Sequence, residues 1–469
     1  MSLDTTRYRK KPSIKLTAML KGHQNRKQKL KLKPDVIAAF AAMGCFEAHT
    51  PSELLIRISK AMSDKKIRKK IDAVLNNSFG RGHGAVADKS AFDFEVKGLP
   101  RITTLQLCQP QFLSHLQQSL RRVNVKSGYY LPDAFFDNPT FNTDEIFTVM
   151  NSAFLLYKEM TAGGVPEEDA RFVLPLLTRT NIDTNGDARE LTHLHGMNDQ
   201  GEVPAVTKYI VNQMISKASK VAPLLFRRRE SNYEPLAWYP SAQLFASTNE
   251  TMNKLIKEHG VPERTVFVSS VPSAETIMKA VKARDEAELA NLKHIHNGGR
   301  LEGFLSPMSL AALHQAIRQR TWDQSVESIY DAAARGLFKT PPKIGNSQFA
   351  YKYAQQNGRM LELYLRLVEA GIPRSEAVGV MPHSLIVYDL IHVNGWNALH
   401  SIGKRMCTEA QWEIRSIARQ IAKVIKEGNP ALGAVMAPQG EIYGKCPEKK
   451  PCGACKNISN APEKIMIQQ

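Results

Sequence analysis

The chain has 469 residues, 43% of them hydrophobic, which is enough to bury more than one core and to fill two domains of about 200 residues each. It carries a net charge of +18 and contains no run of the ~18 to 20 apolar residues needed to cross a membrane, and no signal-peptide core at its N-terminus. We therefore expect a cytoplasmic protein without a membrane partner, and six cysteines are too few for a disulfide scaffold at this length.

The positive charge is concentrated at the N-terminus. Residues 1–34 contain eleven Lys or Arg and a single acid, Asp4, and form a basic arm. Such an arm suits phosphate-rich partners, from nucleic acid to nucleotides; the alternative is a solvated tail that only aids solubility. Because nearly all of its charges are positive and it contains few apolar residues, we expect the arm to be poorly ordered and dispensable for folding.

The pattern of apolar residues predicts a helix-rich chain. The first half predicts, in chain order, helices over 34–46 and 52–75, a strand over 92–96, a core helix over 102–120, and helices over 144–162 and 205–222. The second half predicts a core helix near 310–317, a long helix over 355–370 and a closing helix over 414–425.

The two halves repeat one another. Four pairs of residues recur at an offset of 207 or 209: Gly164 and Gly371, Pro175 and Pro382, Gln106 and Gln315, and Ser119 and Ser328. A period this long is too large for a solenoid unit, so it predicts a duplicated domain whose halves pack as a pseudo-dimer.

Two small clusters could carry chemistry. Arg318 and Arg320 follow a predicted helix, where both guanidinium groups could meet one phosphate or pyrophosphate; ordinary surface arginines are the alternative. Cys446, Cys452 and Cys455 lie close together in the tail and could begin a zinc site, but a structural site needs a fourth ligand from elsewhere or from another chain. The other three cysteines have apolar neighbours and are expected to be buried.

The second half resembles the flavin-dependent thymidylate synthases. Residues 315–328 resemble that family's signature R-H-R-x7-S-x-R preceded by Gln. Residues 405–415 resemble its R-x(3–5)-A-Q-W-E-I-R helix start, and residues 371–382 its G-V-P-R-E-x-A-R-x-V-L-P segment. The resemblance covers most of residues 300–430.

The first half is similar to the same family over about residues 76–226. Residues 83–94 resemble the H-x-(S/T)-P-F-E-H-x-x-F-x-F block, and residues 164–175 keep the G-V-P-x-x-x-A-R-x-x-L-P block almost intact. Ser119 and Arg121 preserve the S-x-R end of the signature, whereas residues 109–111 replace its R-H-R start.

Each half lacks charged residues that the other retains. The first half has Gln109, Pro110 and Gln111 at the R-H-R positions, and Asn198 where the second half has Arg405. The second half has Gln319 for the central His, Tyr330 for the last Arg of the signature, and Trp396 where the first half has Arg189. Because the family's active site lies between subunits, the resemblance implies one composite site built from both halves, with these members: Ser119, Arg121, Arg189, Arg318, Arg320 and Arg405.

The resemblance implies an α/β (α+β) fold of two tandem flavin-dependent thymidylate synthase-like domains. Each half would be helix-rich with a mixed sheet, the halves would form a pseudo-dimer, and two chains would form a homodimer that is a pseudo-tetramer. We place the basic arm at residues 1–34, the domains at 35–230 and 240–445, and the Cys-containing tail at 446–469.

The implied reaction is reductive methylation of dUMP to dTMP, with methylenetetrahydrofolate as carbon donor, FAD as hydride carrier and NADPH as reductant. The resemblance assigns substrate binding to Gln106, Ser119, Arg121, Arg189, Gln315, Ser328 and Arg405. It assigns cofactor binding to His83, Arg318, Arg320 and Gln411, and catalysis to Arg320 and Arg405. The alternatives are a related flavin- and folate-dependent modification of another pyrimidine nucleotide, such as hydroxymethylation, and a non-catalytic nucleotide or nucleic-acid binding protein on a decayed synthase fold.

Overall fold

The structure is a computed structural model that describes residues 6–21, 31–81, 83–122, 125, 128–138, 141–227, 242–283, 289–290, 292–296, 298–442, 444–446, 448 and 451–455. The chain divides into two compact units, one of residues 1–239 with 351–382 and one of residues 240–350 with 383–469. The predicted domain boundaries at 230 and 240 lie outside the described residues, as does the tail from 456 onward.

The elements of residues 6–227 belong to the first unit. They are α1 (Thr6–Arg9), β1 (Ser13–Met19), α2 (Pro34–Gly44), α3 (Pro51–Ala61), α4 (Asp64–Asn77), β2 (Phe92–Pro100), α5 (Arg101–Leu107), β3 (Ser114–Gln117), α6 (Thr143–Ala162), α7 (Glu167–Ala170), β4 (Arg179–Gly186), α8 (Ala188–Gln200) and α9 (Ala205–Val221). The strands form one antiparallel sheet in the order β1-β2-β4-β3. Phe92, Phe94 and Val96 of β2 are fully buried, so one face of this sheet lies on the core.

The rest of the described chain adds a second set of elements. They are α10 (Glu250–His259), β5 (Val266–Ser270), α11 (Ala274–Ala283), β6 (Leu301–Ser309), α12 (Leu310–Ala316), β7 (Asp323–Val326), α13 (Ile329–Arg335), α14 (Pro342–Gly345), α15 (Ala350–Glu369), α16 (Arg374–Ala377), β8 (Ile386–His392), α17 (Gly395–Met406), α18 (Trp412–Gly428), α19 (Pro430–Ala434) and α20 (Gln439–Ile442). The strands of the second unit form an antiparallel sheet in the order β5-β6-β8-β7. Its core joins α10 to the sheet through Met252, Leu255, Leu305 and Leu390.

The sequence repeat is also a structural repeat. β2, α5 and β3 recur as β6, α12 and β7 at an offset of 209 residues, and α6, α7, β4, α8 and α9 recur as α15, α16, β8, α17 and α18 at an offset of 207. The strand order of the two sheets is the same when corresponding strands are compared. The two halves of the sequence therefore contain two copies of one domain.

The compact units nevertheless differ from the sequence halves. Residues 351–382, which the sequence assigns to the second half, pack in the first unit. There Gln356 of α15 contacts α6, its Nε2 donating to the Val149 carbonyl at 3.0 Å and its Oε1 accepting from Ser152 Oγ at 2.8 Å. Glu376 of α16 accepts from the Ala205 backbone N–H at the start of α9. The first unit thus contains α6 together with its own repeat counterpart.

Three predictions about the fold are wrong. The sheets are antiparallel throughout the described residues, not mixed, because each pair of hydrogen-bonded strands runs in opposite directions. The helix expected over 102–120 ends at Leu107, since Pro110 lacks a backbone N–H and residues 114–117 pair with β4 instead. The helix expected over 52–75 breaks at Met62 and Ser63, whose backbones are extended before α4 begins at Asp64.

Residues 6–21 of the basic arm contain a short helix and a strand, which contradicts the expectation of a poorly ordered segment. Residues 13–19 alternate exposed and half-buried side chains over most of their length and add an edge strand to β2. Tyr8 is buried, and its ring stacks on Tyr129 with centroids 4.8 Å apart. The high charge of the arm gave no sign of this strand, because its apolar residues are few and only alternate along the sequence.

The long helices that the sequence predicts near 144–162, 205–222 and 414–425 are confirmed as α6, α9 and α18. No helix within the described residues is both long enough and apolar enough to cross a membrane.

Candidate functional site

In the second unit, Arg318, Gln319 and Arg320 form a tight turn between α12 and β7. The Gln319 N–H donates to the Ala316 carbonyl at 2.9 Å, and the Trp322 N–H donates to the Gln319 carbonyl at 3.0 Å. Arg318 and Arg320 are exposed, whereas Gln319 is half-buried between them. The predicted irregular helix end is therefore confirmed, and it presents two guanidinium groups to solvent.

Arg405 reaches the same turn from the last turn of α17. Its Nη2 donates to the Gln315 carbonyl at 3.4 Å. With the Gln319 amide oriented so that its oxygen faces Arg405, Gln319 Oε1 accepts from Arg405 Nε at 3.0 Å and also from Nη2. The fold thus brings together two motifs that are some 85 residues apart in sequence. Gln319 is the residue that links them.

Gln411 caps the next helix instead of pointing into solvent. Its Oε1 accepts from the Glu413 and Ile414 N–H groups at the start of α18, both at 3.1 Å. Glu413 is buried and accepts from the Ser309 N–H at 2.8 Å and from Ser309 Oγ, which attaches α18 to the start of α12. The Nε2 atoms of Gln411 and Gln315 are buried and have no hydrogen-bond partner within the described residues.

Ser328 is buried at the start of α13. Its Oγ accepts from the Tyr330 N–H at 3.3 Å, and its own N–H donates to Thr248 Oγ1 at 2.8 Å. Only 1% of Ser328 and 3% of Tyr330 are exposed. The structure therefore gives Ser328 a capping role and does not expose it with Arg318 and Arg320.

In the first unit, buried neutral amide side chains occupy the corresponding positions of the repeat and bond to one another. Gln106 Nε2 donates to Asn198 Oδ1 at 2.9 Å, and Gln109 Nε2 donates to Gln106 Oε1 at 2.8 Å. The three side chains are at most 5% exposed. Gln109 and Asn198 occupy the repeat positions of Arg318 and Arg405, so packed amides replace two cations there.

The surviving S-x-R end lies on the surface of the first unit. Ser119 Oγ accepts from the Arg121 N–H at 3.2 Å, the same local bond that Ser328 makes in the second unit. Arg121 Nε and Nη2 donate to Glu168 Oε2 at 2.9 and 2.8 Å. The Arg121 side chain is 24% exposed, so its guanidinium is reachable but already holds a carboxylate.

Arg171 is a residue that the sequence reasoning missed. It is 3% exposed, and its Nε donates to the carbonyl of Glu168 at 3.1 Å, so two arginines meet at the Glu168 segment. Its signal is the Arg of the G-V-P-x-x-x-A-R block, for which the second half has Val378. This is a further position at which only one half keeps the charge.

His83 and Arg189 lie on neighbouring segments of the first unit. His83 is exposed and precedes Gly84, and Arg189 Nη1 forms an ion pair with Asp88 at 3.3 Å. A Cβ at Gly84 would stand 2.5 Å from Arg189 Nε, so the arginine lies where any other residue at 84 would collide with it. Trp396, the repeat counterpart of Arg189, is 82% exposed in the second unit.

The family model described as thymidylate synthase complementing protein matches residues 30–224 and 304–431. The chain belongs to that family. The matched segments correspond to the two repeats, and the chain is accordingly an enzyme of the flavin-dependent thymidylate synthase family.

Curated flavin-dependent thymidylate synthases are each similar to less than half of the chain. The protein of Geobacter sulfurreducens is 29% identical over 198 residues, covering 41% of this chain and 81% of the relative. That of Sulfurisphaera tokodaii is 31% identical over 169 residues, covering 36% and 64%. A solved structure of the UMP/dUMP methylase PolB from Streptomyces cacaoi, bound with 5-Br dUMP, matches at 18% identity over 48% of this chain and 98% of that chain, with a TM-score of 0.38.

The tail of this family member folds back onto the second unit. Cys455 Sγ and the Cys446 Cα lie 3.1 and 3.6 Å from the position of a Cβ on Gly440, and Thr408 Oγ1 lies 2.9 Å from Cys452 Sγ. Within the part of the chain that the structure describes, no three His, Cys, Asp or Glu side chains are arranged to hold a metal ion. The zinc site at Cys446, Cys452 and Cys455 stays a prediction.

The expectation that the other cysteines are buried is confirmed for Cys108 only. Cys45 is exposed and Cys407 is partly exposed, although each directly follows a helix, as the buried Cys108 does.

A buried histidine lies beside the second sheet. His294 is fully buried, and neither of its ring nitrogens has a hydrogen-bond partner within the described residues. Burial lowers the pKa of His294 well below its ordinary value, and the neighbouring charges of Lys293, His392 and His296 lower it further. The His296 and His392 rings are 4.1 Å apart. His294 therefore stays neutral at physiological pH.

Proposed function

We propose that this protein catalyses the flavin-dependent reductive methylation of dUMP to dTMP, with methylenetetrahydrofolate as carbon donor and NADPH as reductant. The observation that carries the proposal is the contact of Arg405 with Gln319 and Gln315 in the second unit. It unites the two arginine-bearing motifs of the family at one exposed turn. Random decay of a synthase fold would have no reason to keep that constellation.

The donor groups of the second unit suit the pyrophosphate of FAD. Arg318 and Arg320 present two exposed guanidinium groups, which bind phosphate oxygens in bidentate fashion. Gln315 and Gln411 each keep a buried amide N–H2 with no hydrogen-bond partner within the described residues. We propose that Arg318, Arg320 and Gln411, with His83, hold FAD, which supplies the hydride transfer when bound.

The reciprocal losses support a composite site. The first half keeps Arg121, Arg171 and Arg189, and the second half has Tyr330, Val378 and Trp396 at the same repeat positions. The second half keeps Arg318 and Arg405, for which the first half has Gln109 and Asn198. We propose that Ser119 and Arg121 bind the nucleotide phosphate, and that Arg405 binds the pyrimidine and stabilises the charge that develops on its ring.

Glu168 would then act as a competitor for the phosphate. It neutralises Arg121 in this structure through two hydrogen bonds to one oxygen. A phosphate carries more charge and more acceptor oxygens than a carboxylate, so it can displace Glu168 at modest cost. Binding of the nucleotide would release Glu168 to solvent.

Turnover of the full-length protein tests the reaction directly. Purified protein is incubated with FAD, NADPH, methylenetetrahydrofolate and dUMP, and dTMP is measured by mass spectrometry, while bound flavin is measured by absorbance at ~450 nm. Formation of dTMP supports the proposal. Bound flavin with a hydroxymethylated product would support the hydroxymethylase alternative, and a protein that cannot be loaded with FAD would support a nucleotide-binding role.

A homodimer that forms a pseudo-tetramer is part of the same proposal, since the family's sites lie between subunits. The mass of the particle in solution tests it. Light scattering at half of the expected mass would contradict the assembly.

A further inference from the structure

A cavity of about 960 Å³ opens in the first unit, and its described lining includes none of the residues assigned above to the substrate or to FAD. Its walls come from α1, the segment before Tyr130, one face of α6, and the start of β4. The residues that matter for its chemistry are Arg7, Tyr8, Tyr129, Phe154, Lys158 and Arg179. Ligand pockets in proteins typically measure about 300 to 1,000 Å³, so this one is large enough for a nucleotide.

One wall is aromatic and firmly held. Tyr8 and Tyr129 stack with their centroids 4.8 Å apart, and Phe154 lies 5.5 Å from Tyr129. The Tyr129 hydroxyl donates to Asn151 Oδ1 at 3.0 Å, which orients its ring. Tyr8 and Tyr129 are buried, and the half-buried Phe154 is the ring that remains accessible from the cavity. Such a ring offers a stacking surface to a planar group.

The other walls carry positive charge. Arg7 and Lys158 are exposed at the cavity, and Arg179 is half-buried within it; among the described lining residues, Glu167 is the one carboxylate. Arg7 lies over the Tyr8 ring, 4.5 Å from its centroid, which fixes its guanidinium at the aromatic wall. A cation-rich pocket beside an aromatic ring favours an anion attached to a planar ring system.

The cavity depends on the N-terminal segment. Arg179 Nη2 donates to the carbonyls of Tyr8 at 2.9 Å and Lys10 at 2.8 Å, and its Nη1 donates to the Gly98 carbonyl at 2.7 Å. These bonds hold α1 over the sheet. The family match begins at residue 30, so Arg7 and Tyr8 lie outside the matched residues, whereas the rest of the lining lies within them.

We propose that this cavity is a second nucleotide site that binds a nucleoside monophosphate, for which UMP serves as the probe. The base would stack on Phe154, and Arg7 and Lys158 would bind the phosphate. The proposal does not depend on the reaction proposed above. It gives the basic N-terminal segment a specific role in place of general phosphate attraction.

Calorimetric titration of the full-length protein with UMP tests this site. The titration is made in the Arg405→Ala variant, so that the pyrimidine contact proposed for the composite site is removed. We expect one UMP per chain to remain bound, and Lys158→Met, which keeps the apolar stem, to weaken it about ten- to a hundred-fold. Phe154→Ala should weaken it as well, and uridine without phosphate should bind less tightly than UMP.

Lys352→Met is the matched control. Lys352 belongs to the same unit and pairs with Glu159 at 3.0 Å, but it does not line the cavity. UMP binding that persists in Lys158→Met and in Phe154→Ala would overturn the proposal, as would the absence of UMP binding in the Arg405→Ala background. Inorganic phosphate that binds as tightly as UMP would show an anion site without nucleotide recognition, and would also overturn it.

Discussion

Pro175 pairs with Pro382, its own counterpart in the second repeat, in an isolated antiparallel bridge within the first unit. The Leu176 N–H donates to the Met381 carbonyl at 2.9 Å, and the Leu177 N–H donates to the Gly379 carbonyl at 3.0 Å. Contact of a residue with its own equivalent is the mark of a two-fold relationship. These bonds favour the pseudo-dimer that the repeat predicts, which stays a prediction for the two halves as wholes.

The composite site predicts that single arginine substitutions in either half abolish the same activity. Arg121→Ala and Arg320→Ala each remove a charge-assisted contact worth roughly 1.5 to 3 kcal/mol, or about ten- to a hundred-fold in binding. The double variant should be little worse than the poorer single one, because residues that act as a unit are not additive. The measurement is dTMP formation against dUMP concentration.

Gln111→Ala is the control for that pair, since Gln111 lies in the half whose R-H-R start is lost. Gln109 is unsuitable because its side chain is buried and belongs to the hydrogen-bonded amides Gln109, Gln106 and Asn198, here called the buried amide chain. Full activity of Arg121→Ala, with loss only in Arg320→Ala, would mean that the second half works alone.

The buried amide chain predicts a stability cost without a direct effect on anion binding. Asn198→Ala removes the acceptor of Gln106 Nε2 and leaves that donor buried, which costs about 1 to 3 kcal/mol. Urea unfolding should show it as a lower midpoint with an unchanged slope. Gln118→Ala, which breaks an exposed amide contact with Asn181, should change the midpoint little. Equal effects in the two variants would contradict the argument.

The ordered N-terminal segment predicts that deletion of residues 1–20 lowers the melting temperature. The deletion removes an edge strand from β2, the buried Tyr8 ring and the carbonyls that bind Arg179. Lys15→Ala, which removes one exposed charge and keeps the strand, should leave melting nearly unchanged. Thermal unfolding by circular dichroism compares them. A deletion variant that melts like the intact protein would show that the segment contributes nothing to stability.

His294 predicts that stability falls on acidification. Its pKa in the folded protein lies below the ordinary value of 6.5, so the unfolded chain binds more protons as the pH falls through that value. The stabilisation is complete above about pH 6.5 and is lost progressively below it. The slope of unfolding free energy between pH 7 and 5 should flatten in His294→Phe but not in the exposed His400→Phe. An unchanged slope in His294→Phe would assign the dependence to other groups.

Cys452 is expected to react faster with iodoacetamide than Cys45 at neutral pH. The hydrogen bond from the Thr408 hydroxyl, with a second from the Ala454 N–H, lowers the pKa of the Cys452 thiol. Peptide mass spectrometry of the full chain gives both rates, and Thr408→Val should slow Cys452 alone. Slow reaction of Cys452 together with stoichiometric zinc by elemental analysis would instead support the metal site at the tail.

Sequence alone determined the duplication, the long helices and the family. The repeat of Gly164 as Gly371, the apolar periodicity of residues 412–428 and the A-Q-W-E-I-R segment are local patterns, so they can be read without knowing which residues meet in space. The irregular end of α12 at Arg318 was likewise predictable from spacing.

Tertiary structure decided the contacts that give those patterns their meaning. Residues 351–382 pack with the first unit because α15 finds its hydrogen bonds on α6, some 200 residues earlier in the chain. Arg121 meets Glu168 across 47 residues and Gln106 meets Asn198 across 92, and β1 is ordered because it pairs with the edge of β2. Such pairings depend on long-range packing. The burial of apolar side chains and backbone hydrogen bonds then outweigh the local preference that charge or helical periodicity indicates.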